Sequence, residues 1–407
     1  MPVVTHFVSL RQAAGVEAHF SEFVREARRC DPHFEHGWLN AAGDMHPFIA
    51  ERMAGHLSHT VDAKRRWGLR LPAKPAALRT WHCRRELAAA KTDVLLIWNR
   101  TAKAKFALDA MGAERCIHWE HGAAWDTGRE TERRDYLRRV PLAIANSTAA
   151  ARVLQLLWNY RGDVRVCRNA LRPSLAPAAP IAKRFPQGPI KLGVAARLYP
   201  VKGIAIVLHA VALLLARSLD VELEVAGAGP ELPRLEALAE TLGIGRRVRF
   251  VGAVSDMAAF YARIDCLLHT PITEAFGLVA VEAAAYGCPV VAAGVDGLPE
   301  AVAAGVSGWC IAPTLPIARY VELGGGSEGL PQCIYDPGAD ALAEPRAVDP
   351  ELLAAQVASV FRDARSYEAL SATASAEMLA RPGFAAHVRD VMAVVDATRA
   401  RRGESRE

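Results

Sequence analysis

Short apolar runs alternate with helical patterns of apolar and polar residues along the whole chain, which indicates repeated β-α units and parallel sheets. In the first half, the predicted strands are residues 3–9, 93–99, 115–120, 141–146 and 163–168. The predicted helices of this half are residues 16–29, 103–111 and 148–158. Residues 30–90 show no clear period and are harder to assign.

A second series of the same kind begins after a proline-rich stretch. Residues 171–189 contain five prolines and no apolar period, as is typical of a linker. The predicted strands that follow are residues 190–196, 221–226, 248–251, 266–269, 290–293 and 309–312. The predicted helices are residues 203–217, 231–242, 256–264, 278–286, 298–304, 351–363, 367–379 and 384–399. Residues 313–350, with three consecutive glycines, are interpreted as a long irregular insertion.

The alternation predicts an α/β protein with two doubly wound, Rossmann-like domains that face each other across a cleft. The amino-terminal domain is expected at residues 1–170 and the carboxyl-terminal domain at 190–380. A last helix in residues 381–407 is expected to pack back on the amino-terminal domain. Ligands of such sheets bind beyond the carboxyl ends of the strands, so residues that follow strands are the candidates for chemistry.

Composition supports a folded, globular protein. The 407 residues are 51% hydrophobic and 23% charged, which argues against disorder. The eight cysteines stand singly, without C-x-x-C spacing, as expected of reduced thiols in a cytosol. No apolar run is long enough to span a membrane, and the first ten residues lack the basic start of a signal peptide. We therefore expect a cytoplasmic protein.

Charge is distributed unevenly between the two halves. Residues 1–186 carry 30 lysines and arginines against 18 acids, a net charge of +12, whereas residues 187–407 carry a net charge of −7. Basic clusters such as Lys64-Arg65-Arg66 are able to face an anionic membrane or a phosphorylated acceptor. Solvated helix faces explain such clusters equally well. No nucleic-acid-binding motif accompanies the charge, so nucleic acid is not expected as a partner.

The most informative stretch for chemistry is residues 270–300. Glu274 lies in a predicted loop after a strand, Gly277 begins a predicted helix, and Glu282 lies about one turn further on. Unpaired N–H groups at the start of a helix bind phosphate oxygens. Two carboxylates that flank such an anion site are able to accept hydrogen bonds from sugar and ribose hydroxyls, which indicates a nucleotide-sugar site.

A second constellation follows the first strand of the second half. Arg197 and Lys202 stand five residues apart just before a predicted helix, where two cations are able to neutralise a diphosphate. No D-x-D motif occurs in the chain, so no carboxylate-held Mg²⁺ is expected. Stabilisation of a departing diphosphate then falls to these two cations.

Together these segments resemble the donor-binding half of the GT-B retaining glycosyltransferases of family four, the glycosyl transferases group 1. The family signatures are a G-R-x-x-x-x-K-G loop, here A-R-L-Y-P-V-K-G, and an E-x(7)-E segment, here Glu274 to Glu282. The resemblance implies that Arg197 and Lys202 hold the donor phosphates, that Glu274 holds the sugar and that Glu282 holds the ribose. It further implies backbone contacts to sugar or phosphate at Phe276, Gly277 and Leu278. Two alanines, Ala196 and Ala275, stand where the family has glycine.

The amino-terminal half resembles the same family more loosely. Ala13-Ala14-Gly15 follows the first strand where the family has a Gly-Gly loop, so the resemblance assigns Gly15 to donor binding. It also assigns His121, before Gly122, to the place of a histidine near the bond being made. Glycines at the position of Gly229 sit near the nucleotide base in this family. The same Gly227-Ala228-Gly229-Pro230 stretch lacks the third glycine of a dinucleotide-binding loop, which argues against NAD.

The resemblance implies a retaining, metal-independent glycosyltransferase with a nucleoside-diphosphate sugar as donor and no cofactor. A glycan or glycolipid acceptor in bacterial lipopolysaccharide or exopolysaccharide synthesis is expected, with peripheral contact to the inner face of the cell membrane. Glu120 is a conceivable nucleophile for double displacement, but same-face attack is favoured because the family has no carboxylate there. The alternatives are a nucleotide-sugar epimerase and a non-catalytic nucleotide-sugar-binding protein.

Overall fold

The chain folds into two units, each built on one parallel sheet. The computed structural model describes residues 1–12, 15–67, 69–72, 76–99, 101 and 104–404. Unit 1 comprises residues 1–169 and 384–407, and unit 2 comprises residues 170–383. Among the described residues, no helix has both the length and the apolar character needed to cross a membrane.

Unit 1 contains a seven-stranded parallel sheet and a small hairpin. The strands are β1 Val3–Phe7, β2 Glu35–Asn40, β3 His59–Asp62, β4 Arg65–Arg66, β5 Leu69–Arg70, β6 Val94–Trp98, β7 Cys116–Glu120, β8 Leu142–Ala145 and β9 Asp163–Val166. The helices are α1 Gly15–Cys30, α2 Pro47–Met53, α3 Ala76–Ala89, α4 Lys105–Met111, α5 Glu130–Arg139 and α6 Thr148–Leu156. The order of the sheet is β3-β2-β1-β6-β7-β8-β9, and β4 pairs with β5 in the antiparallel hairpin.

Unit 2 has a six-stranded parallel sheet with the order β12-β11-β10-β13-β14-β15. Its strands are β10 Ile190–Ala195, β11 Val221–Ala226, β12 Val248–Gly252, β13 Cys266–His269, β14 Val290–Ala293, β15 Gly308–Ile311, β16 Leu315–Pro316, β17 Ile334–Asp336, β18 Ala341–Ala343 and β19 Arg346–Ala347. The helices are α7 Ile204–Ala216, α8 Leu232–Thr241, α9 Met257–Arg263, α10 Leu278–Ala285, α11 Leu298–Ala301, α12 Ile317–Glu322, α13 Pro350–Val360 and α14 Ala364–Ala380. The last helix of the chain, α15 Phe384–Glu404, belongs to unit 1.

Both sheets are doubly wound. In each sheet the chain starts in the middle, moves to one edge and then returns to build the other side, which confirms the predicted α/β class with two Rossmann-like sheets. The reversal creates a topological switch point between β1 and β6 in unit 1 and between β10 and β13 in unit 2. Loops at the carboxyl ends of these strands diverge, and the crevice between them is where such sheets bind ligands.

Two regions differ from the prediction. Residues 30–90, which show no period in the sequence, contain β2 to β5 with α2 and α3, and several of these elements are too short to reveal a period. Residues 313–350 are not irregular, because they form α12 and two small antiparallel ladders, β16 with β19 and β17 with β18. Ladders of two or three residues leave no alternating pattern in a sequence.

Buried histidines lie close together in the interior of unit 1. His387 on α15 and His19 on α1 approach each other with their Nε2 atoms 3.2 Å apart. His6 Nε2 and His36 Nδ1 lie 2.9 Å apart, and Trp98 Nε1 donates to His6 Nδ1 at 3.2 Å. Burial lowers the pKa of His36 to about 4 and the pKa of His387 to about 4, and it lowers the pKa of His6 well below its ordinary value. His6, His36 and His387 therefore stay neutral in the folded protein at neutral pH.

Acid should destabilise unit 1 through these histidines. The unfolded chain takes up protons below about pH 6.5, whereas folded His36 and His387 do so only near pH 4, so the stability that is present above pH 6.5 is lost as the pH falls. Between pH 6.5 and 5 each histidine should lower the free energy of unfolding by about 2 kcal/mol. Urea unfolding followed by tryptophan fluorescence measures this loss in unit 1, which holds seven of the eight tryptophans.

His387→Phe removes one histidine that takes up a proton on unfolding. The number of protons taken up on unfolding near pH 5 should therefore fall by about one. His33→Gln changes an exposed histidine of the same unit and should leave the pH dependence as in the wild type. Equal pH dependence in all three proteins would rule out His387 as a source of the acid lability.

Candidate functional site

The loop after β10 carries both predicted phosphate-binding cations. Arg197 is exposed, and its guanidinium carbon lies 5.3 Å from the centre of the Tyr199 ring. Gly203, at the start of α7, has a φ of 64°, and a Cβ at this position would lie 2.1 Å from the carbonyl oxygen of Thr270. Only glycine fits where this loop meets the loop after β13. The close approach places the cation loop beside the loop that carries Glu274.

Lys202 and Glu274 form an ion pair across the switch point of unit 2. Lys202 Nζ donates to Glu274 Oε2 at 2.7 Å, and the two side chains are only 16% and 20% exposed. His269 Nε2 lies 3.4 Å from the same carboxylate oxygen. Burial alone would raise the pKa of Glu274, but the charge of Lys202 and the contact with His269 outweigh burial and hold this pKa well below its usual range. Glu274 is therefore a fixed anion next to a fixed cation.

Asp296, in the loop after β14, holds the Glu274 loop in place. Its side chain is buried, and Oδ2 accepts hydrogen bonds from Thr273 Oγ1 at 2.5 Å and from the Glu274 N–H at 2.9 Å. Oδ1 accepts from the N–H of Tyr335 on β17 at 2.7 Å. One carboxylate thus joins the loop of the predicted sugar-binding residue to the small ladder of residues 313–350. Sequence reasoning missed Asp296, although it is the one acid in the apolar stretch 288–298.

Gly277 makes the turn into α10. Its φ is 94°, in the left-handed region that favours glycine, and a Cβ would lie 2.4 Å from Leu298 Cδ2. No side chain caps this end of the helix, so its first N–H groups are left for other acceptors. The preceding residue, Phe276, is buried in the core of unit 2, and Leu278 packs against that core. The helix start that we predict to bind an anion therefore packs on the apolar core of unit 2.

Glu282, one turn into α10, is buried and engaged through both oxygens. Arg172 Nη2 donates to Glu282 Oε1 at 2.7 Å, and Tyr261 donates its hydroxyl to Oε2 at 2.8 Å. A buried carboxylate requires such partners. Arg172 lies at the edge of the predicted linker, 110 residues away in sequence, and sequence reasoning gave no signal for it. Arg172 Nε also donates to Oε1 at 3.1 Å, so both lone pairs of Oε1 are engaged. Oε2 retains a further lone pair, and the acceptor role of Glu282 stays a prediction.

The glycine turn after β11 packs directly on the cation loop. A Cβ at Gly229 would lie 2.3 Å from the carbonyl oxygen of Leu198, and one at Gly227 would lie 1.8 Å from that of Ala196. The Leu198 N–H donates to the carbonyl of Ala228 at 3.0 Å. These glycines are needed for the close approach of two backbones, and the predicted contact of Gly229 with a nucleotide base stays a prediction.

In unit 1, His121 follows β7 and lies against two tryptophans. Its ring is stacked on Trp98, with ring centres 5.0 Å apart and planes 2° from parallel, and it lies 4.8 Å from Trp119. Its backbone N–H donates to Asn99 Oδ1 at 2.6 Å. Burial is the main reason that the pKa of His121 is lowered to about 3. His121 is therefore neutral at neutral pH and able to exchange hydrogen bonds with a hydroxyl.

Glu120, the neighbour of His121, is a structural anchor. It is fully buried, and Oε1 accepts from the N–H groups of Gly122 at 2.6 Å and Ala124 at 3.0 Å. Oε2 lies 3.0 Å from Nε2 of the buried His118. Burial would raise the pKa of Glu120, but the His118 contact and the two backbone donors outweigh it and lower that pKa. A carboxylate enclosed in this way is not placed to attack a sugar, which argues against double displacement through Glu120.

Three polar atoms at the carboxyl ends of β7, β8 and β9 have no hydrogen-bond partner within the described residues. They are His121 Nε2, Asn146 Oδ1 and Asn169 Oδ1, each shielded from solvent. Asn146 and Asn169 are neighbours, because the Asn169 N–H donates to the Asn146 carbonyl at 3.1 Å. Buried polar atoms are rarely left unpaired, so these three are candidates for hydrogen bonds to a ligand. We call them the polar edge of unit 1.

The loop after β1 contributes less to the site. Gly15 is the first residue of α1, and no atom lies within 4 Å of a Cβ built there, so crowding does not require a glycine. Ala13 and Ala14, the other members of the predicted loop, lie outside the described residues. Across residues 1–404, leaving out the gaps given above, no group of three or more histidine, cysteine or acidic side chains is arranged to hold a metal ion.

Part of the chain is similar to proteins of a known family. Residues 178–323 match the model of the glycosyl transferases group 1. The D-inositol 3-phosphate glycosyltransferase of Streptomyces griseus is 35% identical over 213 residues, which is 49% of this chain and 45% of that protein. The chain therefore aligns with less than half the length of this curated relative.

Solved structures share the fold over almost the whole chain at low identity. The structure of Anabaena HepE in complex with UDP and glucose has a TM-score of 0.70 to this chain at 19% sequence identity. The alignment covers 97% of this chain and 99% of the HepE chain. A glycosyltransferase from Rickettsia africae has a TM-score of 0.74 at 14% identity, with 98% of both chains aligned. Residues 178–323 are thus similar to the glycosyl transferases group 1, in a chain with the GT-B fold.

Proposed function

We propose that the chain is a glycosyltransferase that moves a sugar, with retention at the anomeric carbon, from a nucleoside diphosphate to an acceptor hydroxyl. The observation that carries the proposal is the partly buried Lys202–Glu274 ion pair at the switch point of unit 2, in which Lys202 lies on the same loop as the exposed Arg197. It supplies cations for a diphosphate and a fixed anion for sugar hydroxyls in one place. The match of residues 178–323 to the glycosyl transferases group 1 supports the proposal.

The phosphates of the donor would bind the cations of the site, and its hydroxyls would bind the carboxylates. An ammonium has three N–H donors, and Lys202 uses one on Glu274, which leaves two for phosphate oxygens. Arg197 makes no ion pair with any described residue, so its guanidinium is available for the second phosphate. The start of α10 at Gly277 adds backbone N–H groups for the same anion. Glu274 accepts from the sugar hydroxyls, and Glu282 accepts from the ribose.

The chemistry we propose is attack on the same face from which the diphosphate departs. The bond between the anomeric carbon and the diphosphate oxygen breaks with its electron pair on the diphosphate. The acceptor oxygen bonds to the anomeric carbon and gives its proton to the departing diphosphate. Negative charge grows on the diphosphate during this step, so fixed cations stabilise the transition state more than the bound donor. Arg197 and Lys202 would do here what a divalent ion does at a D-x-D site.

We assign binding of the acceptor substrate to the polar edge of unit 1, where three buried polar atoms have no hydrogen-bond partner within the described residues. Neutral His121 is suited to a hydroxyl because its unpaired Nε2 is able to donate or accept, depending on the tautomer. A glycan or glycolipid presents many such hydroxyls, and the matching Streptomyces griseus relative is named for an inositol phosphate, itself rich in hydroxyls. We propose a bacterial cell-surface glycan as the acceptor and the cytoplasm as the place of reaction.

A donor screen tests the proposed function. The full chain is incubated with uridine, guanosine and adenosine diphosphate sugars, with and without acceptor glycosides and inositol phosphate, in the presence of excess EDTA. We expect release of one nucleoside diphosphate to depend on the acceptor, to persist in EDTA, and to give a product with the anomeric configuration of the donor by NMR. Turnover that disappears in EDTA and returns with Mg²⁺ would refute the metal-independent mechanism. Donor binding in calorimetry without any turnover would refute catalysis.

Removal of either cation should lower kcat more than it raises the donor KM. We expect Arg197→Ala and Lys202→Ala each to lower kcat by about 10²–10³-fold, as for loss of one donor to a developing anion. Lys202→Ala should also weaken donor binding, because it leaves the buried charge of Glu274 uncompensated beside the diphosphate. Steady-state kinetics with donor affinity measured separately tests both variants.

Arg246→Ala removes an exposed cation of the same unit away from the site and serves as the matched control. Its kinetics should equal those of the wild type. An effect of the two site variants on KM alone, with kcat unchanged, would mean that Arg197 and Lys202 only tether the nucleotide.

Asp296 should act as a positioning residue for Glu274. Asp296→Ala leaves the N–H groups of Glu274 and Tyr335 without their acceptor, so the Glu274 loop should shift. A displacement of about 1 Å costs on the order of 10²-fold in rate, and we expect a loss of this size in kcat/KM. Asp296→Asn keeps one acceptor oxygen and should restore part of the activity.

The control for stability is Leu214→Ala on α7, a buried leucine whose loss destabilises the core by about 2–5 kcal/mol without touching the site. Unfolding midpoints and kinetics are measured for all three variants at a temperature where each is folded. If Asp296→Ala loses no more activity than Leu214→Ala, its role is structural only.

A further inference from the structure

The β4–β5 hairpin of unit 1 exposes large apolar side chains among cations. Trp67 is 83% exposed and Leu69 is 75% exposed, the two highest values among the large apolar side chains of the described residues. Trp81, on α3, is 48% exposed. An exposed tryptophan and an exposed leucine on one small hairpin, with a second exposed tryptophan on α3, are unusual for a protein surface in water and mark an interaction surface. We call residues 64–67, 69–70 and 81 the tryptophan hairpin.

The base of the hairpin is firmly held. Asp62 Oδ1 accepts from the N–H groups of Lys64 at 2.8 Å and Arg65 at 3.1 Å. The buried His82 of α3 places Nε2 3.0 Å from the Asp62 carbonyl and 3.1 Å from the Arg65 carbonyl, and because carbonyls only accept, Nε2 is the donor. The exposed tip therefore stands on a fixed support rather than on a loose loop.

Cations surround the apolar tip. The Arg66 guanidinium carbon lies 4.1 Å from the centre of the Trp67 ring and 5.4 Å from that of Trp81. Arg65 and Arg70 are paired across the two strands, and both are exposed. The half of the chain that contains the hairpin, residues 1–186, has a net charge of +12. The surface is thus apolar at its tip and cationic around it.

We propose that the tryptophan hairpin docks the protein on an anionic lipid surface. Trp67 and Leu69 enter the interfacial region, where tryptophan is most stable in a bilayer, and the arginines bind the headgroup phosphates. A soluble glycan fits less well, because sugars stack on open aromatic faces and one face of Trp67 is covered by Arg66. Trp67 also has a φ of 52°, an uncommon backbone conformation for a bulky residue, and its side chain is exposed.

The proposal goes beyond the proposed transferase function and does not depend on it. Sedimentation of the full chain with vesicles of phosphatidylglycerol and phosphatidylcholine, against phosphatidylcholine alone, needs neither donor nor acceptor. We expect binding to the anionic vesicles only, and weaker binding at high salt because the charges are screened. Failure of the donor screen would leave this result unaffected, and failure of vesicle binding would leave the donor chemistry unaffected.

Two pairs of substitutions separate charge from insertion. Arg66→Ala with Arg70→Ala should lower vesicle affinity about 25-fold at low salt, from about fivefold per cation. Trp67→Ala with Leu69→Ala should weaken binding at both low and high salt. The controls are Arg134→Ala with Arg138→Ala, which removes two exposed cations of α5, and Leu156→Ala with Val166→Ala, which removes exposed apolar side chains of the same unit. Both control variants should bind as the wild type does.

Depth of insertion gives an independent readout. Vesicles with brominated phosphatidylglycerol should quench part of the tryptophan fluorescence of the wild type, and Trp67→Phe should remove this quenching while most of the binding persists. Equal sedimentation with neutral and anionic vesicles would overturn the proposal, as would unchanged binding of the hairpin variants. Binding to dextran sulfate without binding to any vesicle would assign the surface to an acidic glycan instead.

Discussion

The proposed donor site of unit 2 depends on one constraint, which is that the partly buried carboxylate of Glu274 must remain charged. Burial opposes this charge, and Lys202 and His269 overcome the opposition, so that the pKa of Glu274 is held low. The compensation requires the loop after β10 and the loop after β13 to meet, and they meet so closely that only glycine fits at position 203. The ion pair therefore defines the geometry of the switch point even when no ligand is bound.

The other acids near Glu274 are also held by hydrogen bonds or ion pairs within the protein. Asp296 binds the backbone of the Glu274 loop with one oxygen and the backbone of β17 with the other, so the segment 313–350 is part of the support of the site. Glu282 is balanced by Arg172 and Tyr261 in the same way. Glu274, Glu282 and Asp296 thus each have fixed partners within unit 2. A preorganised site of this kind does not have to spend binding free energy on arranging its own charges.

The sequence predicts the strands of the six-stranded sheet of unit 2 closely. It does not predict the residues that hold Glu274 and Glu282 in place. The predicted strands 221–226, 266–269 and 290–293 have the bounds of β11, β13 and β14, because strands buried on both faces form continuous apolar runs. Lys202 and Glu274 follow such strands, so their closeness is foreseeable from the topology rule. Arg172 and Asp296 are not foreseeable in this way, because their partners depend on contacts between distant segments rather than on local pattern. Whether the predicted residues bind donor and acceptor is a separate matter for the experiments above.

The two units solve the problem of buried polar groups in opposite ways, and the difference bears on how acid affects the protein. Unit 2 buries charges in pairs, and the low pKa of Glu274 means that moderate acid does not discharge its pair with Lys202. Unit 1 instead buries histidines as neutral rings, whose neutrality costs stability once the unfolded chain is able to take up protons. As the pH falls, the packing of α15 on α1 through His387 and His19 should fail before the donor site changes its charge. The acid limit of any activity is then set by the stability of unit 1 and not by titration of the residues that we propose bind the donor.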